Sequence, residues 1–263
     1  MDLPKDSELL LIKSVSSNFS YTLDIDLNKG YTHAIVSSVC IPKTYYVLPN
    51  NAILTVTEGT NTTNIIFSKG NYSYTSFQIA FNTNMSSCNW DYSIVYNTNT
   101  PPDIGKYQYN VTGNTSQPSF KTTDSFLASV LGIYPNITYN FSGNSFTSPN
   151  VIDFQAYDSL LLISDIVRNK NKILQEIFTN INQYNSSIVW QNNNYSLNCR
   201  EIINLQSNNI NFSLQDNSGN VVDLNGSEFS FVMILFKKNN IADIIKTFIE
   251  LHMNKQELEN VDA

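Results

Sequence analysis

The sequence predicts an all-β sandwich closed by a helical tail, and three observations carry that prediction. The first is residues 210–236, INFSLQDNSGNVVDLNGSEFSFVMILF, where apolar residues and turn signals alternate as in a three-stranded antiparallel meander. The second is a succession of short β-like segments with turn residues about every 8–15 positions, the spacing of sandwiches and barrels. The third is that a long amphipathic helix is readable only at the C-terminal end.

Residues 9–17 (LLLIKSVSS) and 21–27 (YTLDIDL) read as the first strands. In the second, Tyr21, Leu23, Ile25 and Leu27 alternate with Thr22, Asp24 and Asp26. Residues 32–41 are another β-rich run, stopped by Pro42. Tyr45, Tyr46 and Val47 lead to the turn Pro49-Asn50-Asn51 and the strand 52–57, after which Glu58-Gly59-Thr60-Asn61 turns the chain into 64–67. Gly70 then permits a sharp break. Asn71 or Ser73 can cap a short helix on which Tyr74, Phe77 and Phe81 fall at i, i+3 and i+7.

Residues 82–150 are dominated by Asn, Thr, Ser, Gly and Pro and read as long loops or an inserted subdomain facing outwards. Within them lie β-like pieces at 92–96 and 138–141 and a helical turn at 124–131 before Gly132. Residues 159–167 (SLLLISDIV) read as a buried strand, 169–171 as a turn, 172–179 as a strand pairing back, 188–190 as a further strand, and 197–205 as a loop or short helix. In the meander, Ile210, Phe212 and Leu214 alternate with polar neighbours, and Asp216-Asn217-Ser218-Gly219 supplies a turn. A short strand at 221–224 leads to Asn225-Gly226, the strongest two-residue hairpin signal, and 229–236 is apolar enough to be covered on both faces. In the tail, Asn239 or Asn240 can cap a helix that gathers Ile241, Ile244, Ile245, Phe248 and Leu251 on one face.

A chain of 263 residues suits one large β domain or two small ones. Fifteen Phe and fifteen Tyr supply a real core, whereas charged residues make up only 14%, about half the usual share. The net charge is −7 and no run of Lys or Arg is long enough to track phosphates, which argues against direct nucleic-acid binding. No apolar run reaches about 18 residues and no charged-then-apolar leader stands at the start, so a soluble, unexported chain without a transmembrane segment is expected. Cys40, Cys88 and Cys199 match no metal spacing and no disulfide framework; free, mostly buried thiols are expected. The sequons at Asn18, Asn71, Asn140 and Asn211 are expected to stay unmodified.

The catalytic options are few. His33 and His252 are the only histidines, and Cys40 lies seven residues from His33, which puts the two on opposite faces of a continuous strand and about 20 Å or more apart. No G-x-S-x-G elbow, P-loop, dinucleotide fingerprint or H-E-x-x-H occurs. Asp24 and Asp26 share a strand face and could ligate calcium with Asp153 or Asp158, but solvated charges on an outer sheet face are the simpler reading. Trp90, Trp190 and the Tyr-rich loops could stack on sugars; core and interface packing accounts for them better. No catalytic, metal or cofactor-binding residue is assigned, no cofactor is expected, and the chain is expected not to be an enzyme.

Two stretches carry a resemblance. The order Leu214, Asp216, Asn217-Ser218-Gly219-Asn220, Val222-Asp223-Leu224-Asn225-Gly226, Glu228, Phe229-Ser230-Phe231 is similar to the closing strands of viral jelly-roll capsid proteins. It resembles in particular the penton (minor capsid) protein of virophages and Polinton-like viruses. The strand before Gly70-Asn71-Tyr72-Ser73 and the short helix after it resemble the same families, in which such a helix would plug an open end of the sandwich. The resemblance runs from the first strands to Phe236, is weak over 82–150 and does not reach the tail. It implies a single jelly roll over 1–238 with 82–150 inserted, followed by a helical tail at 239–263. It further implies a homopentamer at the vertices of an icosahedral virion, set among trimers of a double jelly-roll major capsid protein and assembled in the host-cell cytoplasm, in a viral factory. The alternative is a jelly-roll carbohydrate-binding or host-attachment module, and a third reading is a glycan lyase on a β-sandwich scaffold.

Overall fold

The structure is a computed structural model and describes residues 7–98, 101–179, 186–194, 198–203 and 205–238. The tail helix expected at 239–263 lies outside the described residues. The chain divides into two compact units, one built from the part up to Lys43 together with the part from Ser159 onward, the other from Thr44–Asp158. The insertion is therefore wider than the expected 82–150. Its first strands carry the same alternation as the sandwich strands, so the sequence holds no signal for where one core ends and the other begins.

The chain opens with β1 (Glu8–Ser14), β2 (Asn18–Thr22) and β3 (His33–Pro42). The insertion carries β4 (Ala52–Glu58), β5 (Asn61–Phe67), α1 (Tyr74–Asn84), β6 (Asp91–Tyr96), β7 (Tyr107–Thr112), β8 (Ser119–Thr122), α2 (Ser125–Leu131), β9 (Tyr139–Asn140) and β10 (Ser145–Thr147). The first unit resumes with β11 (Ser159–Ser164), β12 (Ile173–Phe178), β13 (Ser187–Gln191), β14 (Arg200–Glu201), β15 (Asn209–Gln215) and β16 (Phe229–Phe236).

In the first unit, one sheet has the order β1-β16-β3-β13, with β14 also on β3, and the other the order β12-β11-β15-β2. All pairings are antiparallel, and successive strands cross between the sheets except at the β11–β12 hairpin and between β13 and β14, which share β3. Leaving aside the two-residue β14, this is an eight-stranded jelly roll, with the insertion spliced between its third and fourth strands. The inner faces meet through Phe19, Phe212, Phe229 and Phe231, with ring centroids 5.1 Å apart for Phe212–Phe231 and 5.9 Å for Phe19–Phe229. Each fully buried Phe or Leu here is worth about 1.5–3 kcal/mol before entropy is subtracted. β16 lies between β1 and β3, which accounts for its nearly unbroken apolar sequence.

Several expected elements differ. The strand expected at 21–27 is β2, which ends at Thr22. Asp26 then accepts the Asn28 N–H at 3.0 Å and starts a 3-10 turn, Leu27–Lys29, closed by Gly30 at φ 64°. Residues 221–224 make only a bridge, Gln215 to Val221, because the Asp223 side chain accepts the Asn225 N–H at 2.8 Å and turns the backbone away from a ladder. Asn225 and Gly226 do take φ 52° and 76°, with the Ser227 N–H donating to the Leu224 carbonyl, as a type I′ turn requires. Where a loop or short helix was expected at 197–205, Arg200 and Glu201 pair with Ala34 and His33 of β3.

The inserted unit has two sheets, β10-β7-β6 and β5-β4-β8-β9. Between them lies an aromatic core in which Phe120 meets Phe141 at 4.9 Å, Tyr109 at 5.5 Å and Phe81 at 6.2 Å. α1 starts with a capping box between Ser73 and Ser76 and buries Phe77 and Phe81, while Tyr74 stays about half exposed against Tyr96. This helix, expected to plug the sandwich, packs within the core of the inserted unit.

Candidate functional site

The residues weighed for catalysis do not converge. His33 and Cys40 stand near opposite ends of β3, facing Phe236 and Ser230 of β16 respectively. The His33 ring packs 5.6 Å from Phe236 and its Nδ1 lies 2.9 Å from Thr32 Oγ1. Burial and the nearby Lys238 charge hold its imidazole below the ordinary value. Cys40, Cys88 and Cys199 are unbridged and half-buried. Burial and the Glu58 carboxylate push the Cys88 thiol up to about 11, which keeps it protonated and unreactive at neutral pH.

Asp24 is exposed just after β2, and the other three acidic candidates have local duties. Asp26 caps its 3-10 turn, Asp153 accepts the Gln155 N–H at 2.7 Å, and Asp158 lies 3.4 Å from Gln155 Nε2. Among the described residues, no group of three His, Cys, Asp or Glu is placed to hold a metal ion, and no helix is long and apolar enough to cross a membrane. Trp90 packs against the core of the inserted unit, and Trp190 pairs with Val39 on β3.

Cavities among the described residues were weighed as sites. One, of about 170 Å³ in the inserted unit, lies between α2 and the segment Asp153 to Asp158. Another, of about 310 Å³, lies between Val15–Asn18 and Val221–Leu224 of the jelly roll. Both are lined by serines and aspartates, and neither lining includes a His, Cys or Lys to activate them.

Strand edges offer more. β1 and β2, joined by the turn at 15–17, form one flank of the jelly roll, and β12 and β13 form the other. Among the described residues, each of these four strands is hydrogen-bonded on one side only, an arrangement that invites further pairing unless something covers it. The exposed large apolar side chains described in this unit sit on the two flanks. Leu9, Leu11, Val15 and Val221 lie on the first, and Phe178, Val189 and Ile203 on the second. Sequence reasoning passed over them, although LLLI in β1 is apolar on both faces, which is itself a signal in an edge strand.

No family model matches the chain, and no curated protein matches it. Among solved structures it is similar to the mavirus penton protein, with a TM-score of 0.51 and 14% sequence identity over 89% of this chain and 99% of that one. The chain has the fold of a viral penton protein. This likeness in the penton fold spans the jelly roll and its insertion together. The D2-D3 domains of the flagellar cap protein FliD from Escherichia coli align at a TM-score of 0.20 and 12% identity, covering 80% of this chain and 100% of that one, too low to bear on the fold.

Proposed function

We propose that this chain is a structural capsid protein that forms homopentameric vertices of an icosahedral virion, seated in a lattice of double jelly-roll major capsid protein. The observation that carries this reading is the likeness to the mavirus penton protein over almost the whole of that chain. The jelly roll with its insertion, and the two apolar flanks where a neighbour would dock, support it. The chain works by contact rather than by chemistry: it turns over no substrate, carries no cofactor and, at a net charge of −7, does not bind nucleic acid directly. It belongs to the virion and assembles in the cytoplasm of the host cell, in a viral factory.

Co-expression with a double jelly-roll major capsid protein, followed by electron cryomicroscopy of the particles, tests this. Density for this chain is expected at the five-fold vertices and nowhere else. Particles with vertices built from another protein, or saturable glycan binding by a monomer that never enters particles, would overturn it.

A further inference from the structure

We propose that the two flanks of the jelly roll bind each other in neighbouring copies of this chain, in a head-to-tail contact sealed by the apolar edge strands and steered by opposite charges at their feet. The inference deepens the pentamer reading and rests on it.

A ring of identical subunits requires a heterologous contact, in which one surface of a copy meets a different surface of the next. The distribution of apolar side chains fits that requirement. Leu9, Leu11 and Val15 are each more than half exposed on the β1 side, and Phe178 and Val189 equally so on the far side of the same sandwich. Isologous pairing would need only one such surface.

Charge adds direction. Within the jelly roll, the end of β3 at Pro42 and the start of β11 at Ser159 lie at the end where β1 finishes and β16 begins. At the other end, the foot of the first flank holds Glu8, Asp24 and Asp26 against Lys29, which bonds Glu8 at 3.1 Å. Among the described residues there, three carboxylates against one ammonium leave a net −2. The foot of the second flank is the β11–β12 turn with the adjoining β14. There Arg168, Lys170, Lys172 and Arg200 outnumber Asp165 and Glu201, a net +2. Arg168 is bonded to Glu201, and Asp165 is held by Asn211, whereas Lys170 and Lys172 are exposed. Lys237 and Lys238 follow β16 at the same end, between β1 and β3, with the Lys238 N–H donating to Thr32 Oγ1, and stand between the two feet. Rotation about an axis running from one end of the sandwich to the other keeps the feet level. The acidic foot of one copy then meets the basic foot of the next, and the apolar edges close above them.

The test is a charge swap in the full chain, read by sedimentation velocity over a concentration series under capsid-forming conditions. Lys170→Glu with Lys172→Asn reverses the second foot; Asn suits the left-handed backbone at Lys172, φ 54°. Asp24→Lys with Asp26→Asn reverses the first foot, and Asn preserves the cap at Asp26. All four positions are exposed, so the fold is expected to survive, and thermal unfolding of each variant checks that it does. Each pair alone is expected to weaken association about tenfold or more, and the four changes together to restore it. If the wild-type chain forms pentamers and either swap variant forms them equally well, the flank pairing is overturned and the pentamer reading stands. Failure of the fourfold variant to restore association would overturn the flank pairing too. A wild-type chain that stays monomeric throughout would overturn both readings together.

Discussion

Gly132 closes α2 at φ 69°, and a Cβ at that position would lie 2.6 Å from the Asn150 carbonyl oxygen and 2.8 Å from Ser148 Oγ. Both the backbone angle and the close approach exclude a side chain. Gly132→Ala is expected to cost about 2–3 kcal/mol or more. Gly143→Ala, at φ 66° with nothing within 4 Å of its Cβ position, should cost about 1 kcal/mol. Denaturant midpoints of the two variants check the difference; equal losses would mean that angle alone matters. His33 gives a second test at this scale. Burial first, then Lys238, lowers its pKa from the ordinary 6.5, against a smaller opposite pull from Glu201. A lowered histidine pKa means that the folded state favours the neutral ring. Its contribution is present above the unfolded value and is lost as the pH falls through the folded one. Acidification from about pH 7.5 to about pH 5 should therefore lower the melting temperature, and His33→Phe, which keeps a ring against Phe236, should flatten that part of the profile. An unchanged slope in the variant would remove His33 from the account.

At the scale of elements, β4 ends on a buried carboxylate that shapes its surroundings. Glu58 is 4% exposed, and its two oxygens accept the Asn89 N–H at 3.1 Å, the Asn89 side-chain amide at 2.8 Å and the Trp90 N–H at 3.1 Å. It pins the corner that leads from α1 into β6. Glu58→Ala leaves those donors without their acceptor and is expected to cost about 2–3 kcal/mol in thermal or chemical unfolding; a loss under about 0.5 kcal/mol would show that water replaces the carboxylate freely. The sequence disclosed elements of this kind unevenly. Asn225-Gly226 announced its turn because only residues tolerant of positive φ serve there. The helix capped by Ser73 was legible from its cap and its Phe spacing, and the turn expected at 124–131 is α2, Ser125–Leu131, capped by Asp124. A two-residue strand such as β14 carries no period to read, and β2 was displaced because a capping Asp26 outweighs an alternating pattern. The flanks were the least legible part of the candidate site. Apolar residues on both faces mark central β16 and edge β1 alike, and only the pairing order separates them.

At the scale of the whole molecule, the division into a jelly roll and an insertion at Thr44–Asp158 was only half visible. Composition flagged 82–150, but β4 and β5 pattern like sandwich strands and gave no sign that they belong to the second core. The sandwich itself could be anticipated, since its aromatic inner faces and apolar β16 follow directly from the closing meander. Its eight-stranded order and its likeness in fold to the mavirus penton protein belong to the whole chain, and no single residue encodes them. Native mass spectrometry of the full chain under capsid-forming conditions tests the central claim most directly. The account predicts a closed species of five chain masses, with no ladder of larger open oligomers; a stable dimer or trimer, with no five-fold species at any concentration, would contradict it.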